Sequence, residues 1–484
     1  MTPLTGWEPD LDETGPGRVL DVTNVIPTIK GLKGAPSQID AVAGLSALTV
    51  QCRGTAILQN TSGTRRHFAG TQTRLYELQS TAWTSIGGTY TGSSENRWLF
   101  DQFGNVSLAT NNTEKIQWST TGSFTDITAA PTARVVFTMD NFVMALDTND
   151  PINGDRPDGW ACSAYQDYTS WTASVTTQAT NGRLIGAGGP LTAGARLGPY
   201  AVAYKATSIF VGSYVGAPIV WQWERIPGEI GCIGPEAVCD IGGSHIFVGE
   251  DNIWRFDGTR PVSIADGVVR DWFFNNSSVT DRFKTICKYD RQNNNVWIFF
   301  PSQSVSSSTV CDQALVYHLP TRKWGKVAID IEAVVNFSAP GITWDTLTTL
   351  SGTWDGLSTI PWDSQTWLAG GRSLAIFNTS HALKAVTGTS NGGTITVGDV
   401  GDDDDVTMLR RTRLRFSREP TSATATGYYK MGEGKSLTTG NTISMRDSGF
   451  DIRQTGRWHR IAFTLNGEFE ATAVRHDLAS AGTR

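Results

Sequence analysis

One local theme recurs along this chain from Leu45 to about Val386: a short apolar strand, a turn, a second strand, then an aromatic residue. The clearest copies are His67-Phe-Ala-Gly-Thr-Gln-Thr-Arg-Leu-Tyr-Glu-Leu, Ile209-Phe-Val-Gly-Ser-Tyr-Val-Gly-Ala-Pro-Ile-Val-Trp and His245-Ile-Phe-Val-Gly-Glu-Asp-Asn-Ile-Trp-Arg-Phe. Each reads as a hairpin. Starts near Phe68, Val106, Phe142, Ile209, Ile246, Val296 and Leu374 suit four-stranded units of roughly 40 to 50 residues carrying insertions. A stack of separate sandwiches would give turn signals without a recurring hairpin-plus-aromatic unit, so the expected fold is an all-β protein built around a β-propeller.

The composition agrees with many short strands joined by tight turns. Among 484 residues there are 51 Gly and 17 Trp, and only 18% are charged. A chain of this length exceeds what one core supports, so a second, smaller domain is expected. No run of 18 apolar residues occurs, and Met1 to Asp10 lacks the basic and apolar regions of a signal peptide, so nothing marks membrane insertion and folding in a cytoplasm is expected. The six cysteines (Cys52, Cys162, Cys232, Cys239, Cys287, Cys311) form no Cys-x-x-Cys pair and read as buried free thiols. A net charge of -6 argues against a chain whose main task is gripping nucleic acid, though it allows one past which DNA moves.

Residues 1–40, rich in Pro and Gly, read as an extended N-terminal arm, with Trp7 and Pro27 as candidate contacts to a neighbour. Residues 41–395 read as the propeller. Within it, 341–371 form an insertion carrying Trp344-Asp, Trp354-Asp, Trp362-Asp and Trp367, at spacings too short for blades, and these tryptophans are interface candidates. Residues 396–484 read as a small C-terminal β-sandwich. There Met408-Leu-Arg-Arg-Thr-Arg-Leu-Arg-Phe alternates, placing Arg411, Arg413 and Arg415 on one face. That face is read as solvated or subunit-facing, balanced by the preceding Asp402 to Asp405.

Signals for chemistry are sparse. The histidines (His67, His245, His318, His381, His459, His476) sit at strand edges and turns, without a zinc-type spacing. Gly388-Thr-Ser-Asn-Gly matches a nucleophile elbow in letters only, since a strand and not a helix follows. Gly434-Lys-Ser lacks the first glycine and the helix of a phosphate loop. Asp150, Asp257 and Asp355 lie in turns that an Asx bond explains. The Asp402 to Asp405 run lacks the alternation and glycine of a calcium loop and reads as a solvated hairpin between domains. No catalytic, cofactor or metal site is therefore expected. A glycosidase pair drawn from distant strands stays open, because propellers do host glycosidases, and a glycan-binding or glycan-cleaving propeller is the alternative reading.

Taken in succession, several motifs resemble the tail hub, nozzle or packaged-DNA stabilisation proteins of short-tailed bacteriophages. They are Asn24-Val-Ile-Pro followed by Gly34-Ala-Pro, Phe247-Val-Gly-Glu-Asp-Asn-Ile-Trp-Arg-Phe, Leu315-Val-Tyr-His-Leu-Pro-Thr-Arg-Lys-Trp, and Gly456-Arg-Trp-His-Arg-Ile. The resemblance implies a non-enzymatic virion protein assembled in the host cytoplasm. It implies a homo-hexameric ring beneath the portal and its adaptor, with distal needle or fibre proteins below and genomic DNA passing through the shared channel. It carries over no catalytic residue and no cofactor.

Overall fold

The computed structural model describes residues 1–484 apart from 94, 305–310, 339–371, 433 and 484. Among the described residues, seven antiparallel four-stranded units follow one another along the chain. Their first strands are Thr55–Gln59, Leu99–Phe103, Thr132–Met139, Leu191–Leu197, Val238–Asp240, Ile286–Asp290 and Ala333–Ser338. Each packs against the first strand of the next unit, and Ala333–Ser338 returns to Thr55–Gln59. The units are therefore blades of a closed seven-bladed β-propeller, with the first strands innermost. Middle strands have neighbours on both faces, which is why Asn295–Phe300 is buried at every position instead of alternating. Two of the expected Asx turns are present: Asp150 Oδ1 accepts from the amides of Ile152 (2.8 Å) and Asn153 (2.7 Å), and Asp257 Oδ1 from Thr259 (3.0 Å). Asp355 lies outside the described residues.

The last blade is completed from the other end of the sequence. Ser37–Asp40 pairs with Leu383–Gly388 as its fourth strand, so the ring is fastened by residues more than 300 positions apart in sequence. Zipping distant segments together in this way closes the ring.

Beyond the propeller lie two further sheets. One runs Val19–Thr23, Gly392–Gly401, Trp458–Asn466, Ser422–Lys430 and Thr438–Ser444. In the other, Leu32–Gly34, Glu470–Thr483 and Asp405–Arg418 follow Val25–Pro27, which joins Lys323–Ile331 of blade six through the Lys326–Val25 pair. Inward-facing Val19, Ile395, Ile461 and Phe463 from the first sheet share a core with Leu409, Leu414 and Val474 from the second. The sequence boundary at 396 falls inside the strand that begins at Gly392.

The N-terminal segment is not an arm. Leu4 is 1% exposed, and Trp7, Val19, Val22, Val25 and Leu32 are fully buried. Thr2–Pro3 pairs with the strand holding Val474, and the Asp10 carboxylate accepts the amides of Asp271 (2.7 Å) and Trp272 (2.8 Å) at the start of the Arg270–Asn276 helix. Its strands run two to five residues, too short for alternation to show, and their partners are distant in sequence. Among the described residues no helix is long and apolar enough to cross a membrane.

Candidate functional site

Charged side chains gather where the chain enters the innermost strands. Arg53 precedes blade one, Arg97 blade two, Glu236 blade five, Lys284 blade six and Glu332 blade seven. Arg97 Nε lies 2.6 Å from Glu236 Oε2, and Arg97 Nη1 donates to the Glu332 carbonyl at 3.0 Å. Lys284 Nζ is 2.8 Å from Glu95 and 2.9 Å from Asp281. The Glu332 carboxylate accepts the Cys52 amide at 2.9 Å and lies 2.7 Å from His381 Nδ1. Blades two and five are not neighbours in a ring of seven, so the Arg97–Glu236 pair spans the axis. Groups from blades two, five and seven thus meet across the propeller's axis at this end.

A cavity of about 140 Å³ remains beside this network, lined by Glu95, Arg97, Arg134, Glu236 and Lys284 among others. Burial opposes the Arg97 charge, but the Glu236 carboxylate outweighs it and holds the guanidinium pKa above its ordinary value. Burial likewise raises the Glu332 carboxyl, against the pull of the Cys52 amide. A second buried network stabilises the smaller body: Asp399, with no exposed side-chain area, meets both Lys430 Nζ and Arg460 Nε at 2.7 Å. What these arrangements do chemically is couple elements across the fold. Their carboxylates are engaged by cations and amides.

The sequence-selected residues separate into three groups. Trp7 is packed edge-on against Trp272 with ring centroids 4.6 Å apart, its Nε1 donating to the Leu20 carbonyl at 3.2 Å, so it is a core residue and not an exposed contact. Pro27 is buried opposite Leu32, which corrects its reading as an interface residue in the same way. Trp344, Trp354, Trp362 and Trp367 lie outside the described residues. Arg413 and Arg415 are exposed on the Asp405–Arg418 strand, and Arg411 is half-buried, 3.4 Å from Asp451. The Asp402 to Asp405 run is a turn between two strands of the smaller body, not a hairpin between domains.

Histidines serve as packing and hydrogen-bonding groups. His245 is buried between Tyr204 Oη (2.8 Å) and the Arg196 carbonyl (2.9 Å). Burial pushes His67 and His476 down to about 4. All six cysteines are buried and free, and burial pushes the Cys52, Cys162, Cys232, Cys239 and Cys311 thiols up to about 12. Sequence reasoning passed over the axial cluster. Its signal is a charged residue one or two positions before an apolar first strand, as in Glu236-Ala-Val-Cys and Arg97-Trp-Leu-Phe.

No family model and no curated protein matches the chain. Among solved structures, YCF48 bound to a D1 peptide overlaps 75% of this chain and 97% of its own, at 12% identity and a TM-score of 0.38. An exo-beta-1,3-galactanase from Phanerochaete chrysosporium overlaps 91% of this chain and all of its own, at 11% identity and 0.28. The computationally designed Ika8 protein overlaps 71% of this chain and 98% of its own, at 10% identity and 0.37. Overlaps of this quality assign neither activity nor ligand to the chain.

Proposed function

We propose that the chain is a structural virion protein of a short-tailed bacteriophage: a subunit of a hexameric tail hub or nozzle ring that continues the portal-adaptor channel, retains packaged DNA and lets it pass on ejection. The observation that carries the reading is the cross-axis network. Glu236 and Glu332, the acids at this end of the axis, are engaged by Arg97, the Cys52 amide and His381. Such groups rigidify a body, and both carboxylates are already engaged. Rigidity is also favoured by the N-terminal segment, which fastens blade seven and completes both sheets of the smaller body. With side chains meeting across the propeller axis, DNA in this scheme runs between subunits around a common axis, with adaptor proteins above and needle or fibre proteins below.

The succession of motifs toward the tail hub family adds the assembly, the partners and the six-fold count. The test is copy number by quantitative mass spectrometry on purified particles. Six copies per portal ring supports the reading. Absence from the particle, or turnover of a polysaccharide by the purified protein, overturns it in favour of a glycan-acting propeller.

A further inference from the structure

The outer face of the Asp405–Arg418 strand concentrates positive charge, part of which meets no ion-pair partner among the described residues. Arg413 stands directly across from Arg475 of the Glu470–Thr483 strand, and Arg415 follows one side-chain repeat along. All three are exposed, and none makes an ion pair among the described residues. Like charges facing each other across a strand pair, with Cβ atoms roughly 5 Å apart, destabilise a sheet, so an anionic partner relieves them. Among the described residues the acids near this strand are Asp451, which meets Arg411 at 3.4 Å, Asp477, opposite Arg411, and, at the far end, Glu468 and Glu470 beside Arg418. Arg411 itself lies over Gly449, where a side chain would collide with the guanidinium.

The longest acidic run in the sequence, Asp402 to Asp405, begins this same strand. Asp402, Asp403 and Asp404 are exposed, and none of the four makes an ion pair among the described residues; Asp403 instead accepts the Trp458 indole N–H at 2.6 Å. At about 3.3 Å per residue, Asp405 and Arg413 are roughly 26 Å apart, well beyond the screening length of about 8 Å at physiological salt. The aspartates therefore do not balance the arginines of their own chain, contrary to the sequence reading.

We infer that the face carrying Arg413, Arg415 and Arg475 is the docking surface for the Asp402–Asp405 turn of a second copy of this chain. The inference rests on the ring reading above and supplies its contact. Two different patches meet, so the contact is heterologous and repeats from subunit to subunit until it closes. Arginine suits the role because its fork pairs bidentately with carboxylates.

The test is the mass of the purified full-length protein by sedimentation in about 0.01 M and about 1 M salt, where the screening length falls from ~30 Å to ~3 Å. Self-association at low salt and a single chain at high salt are expected. A variant with Arg413, Arg415 and Arg475 changed to Glu, and another with Asp402 to Asp405 changed to Lys, should each remain single chains, while their mixture associates again. A variant that fails to fold is replaced by its Gln or Asn counterpart, expected to lose association without rescue. A wild-type single chain at low salt, or variants that associate like the wild type, overturns the inference. So does low-salt binding of duplex DNA that R413E abolishes while the protein stays a single chain. Particles with six copies whose assembly ignores both variants sink this contact but leave the ring reading standing; association as expected by a protein absent from particles does the reverse.

Discussion

Replacing Trp7 with Ala strikes the point where the N-terminal segment, the helix before blade six and the smaller body meet. The indole is fully buried, edge-on to Trp272 at 77°, hydrogen-bonded to Leu20 and 5.3 Å from the Lys326 ammonium. Truncating such a side chain costs about 3 to 5 kcal/mol through lost transfer energy and the cavity left behind. An unfolding entropy of about 2.1 cal/mol/K per residue gives roughly 1 kcal/mol/K for a chain this long, so cooperative unfolding moves by about 4 °C. Trp7→Phe keeps the ring contact and gives up the indole hydrogen bond, for about 1 to 2 kcal/mol. Differential scanning calorimetry reads both, with guanidinium titration as the independent check. A Trp7→Ala melting temperature within about 1 °C of wild type would refute the reasoning and restore the segment to a detachable arm.

Arg97→Met strands Glu236 and should destabilise by about 3 kcal/mol, while Arg97→Met with Glu236→Gln recovers more than half; a double-mutant cycle by chemical denaturation checks it, and additivity of the two changes counts against a cross-axis pair. Acid should weaken the fold through His67 and His476. Both are held near 4 in the folded state and titrate near 6.5 when unfolded, so the unfolded chain binds more protons in between and stability rises with pH from about 4 to 6.5. His67→Gln and His476→Gln should flatten that rise in melting temperature against pH. Glu332, raised by burial, acts with the opposite sign: its contribution is lost as pH climbs through its elevated value, and Glu332→Gln removes that slope. None of the six cysteines should react with an aromatic disulfide reagent at pH 8 in the native protein, and all six should after denaturation; rapid native labelling would contradict their burial.

The propeller was legible because its signal is local. Of the seven hairpin starts in the sequence, Phe68, Val106, Phe142, Ile246, Val296 and Leu374 fall on the second strands of blades one, two, three, five, six and seven. Ile209 falls on the third strand of blade four, whose second strand is Tyr200–Lys205. What failed was long-range. Trp7 and Pro27 looked like contacts for a neighbour because three-residue strands such as Val25–Pro27 show no period, and their pairing with Leu32–Gly34 and blade six exists only in the folded chain. The axial cluster was missed for a related reason: Arg97 and Glu236 are 139 positions apart, and only ring closure brings them together. Alternation around Leu414 did place Arg413 and Arg415 outward, though their lack of an ion-pair partner among the described residues needed the register opposite Arg475.

The proposed virion role is tested most directly by a three-dimensional reconstruction of the tail of the parent particle, computed without imposed symmetry. The prediction is a six-fold ring below the portal adaptor, each subunit a seven-bladed propeller with its smaller body attached, and the channel lying between subunits. A ring of another symmetry, density threading the propeller axis, or no propeller in the tail would contradict it.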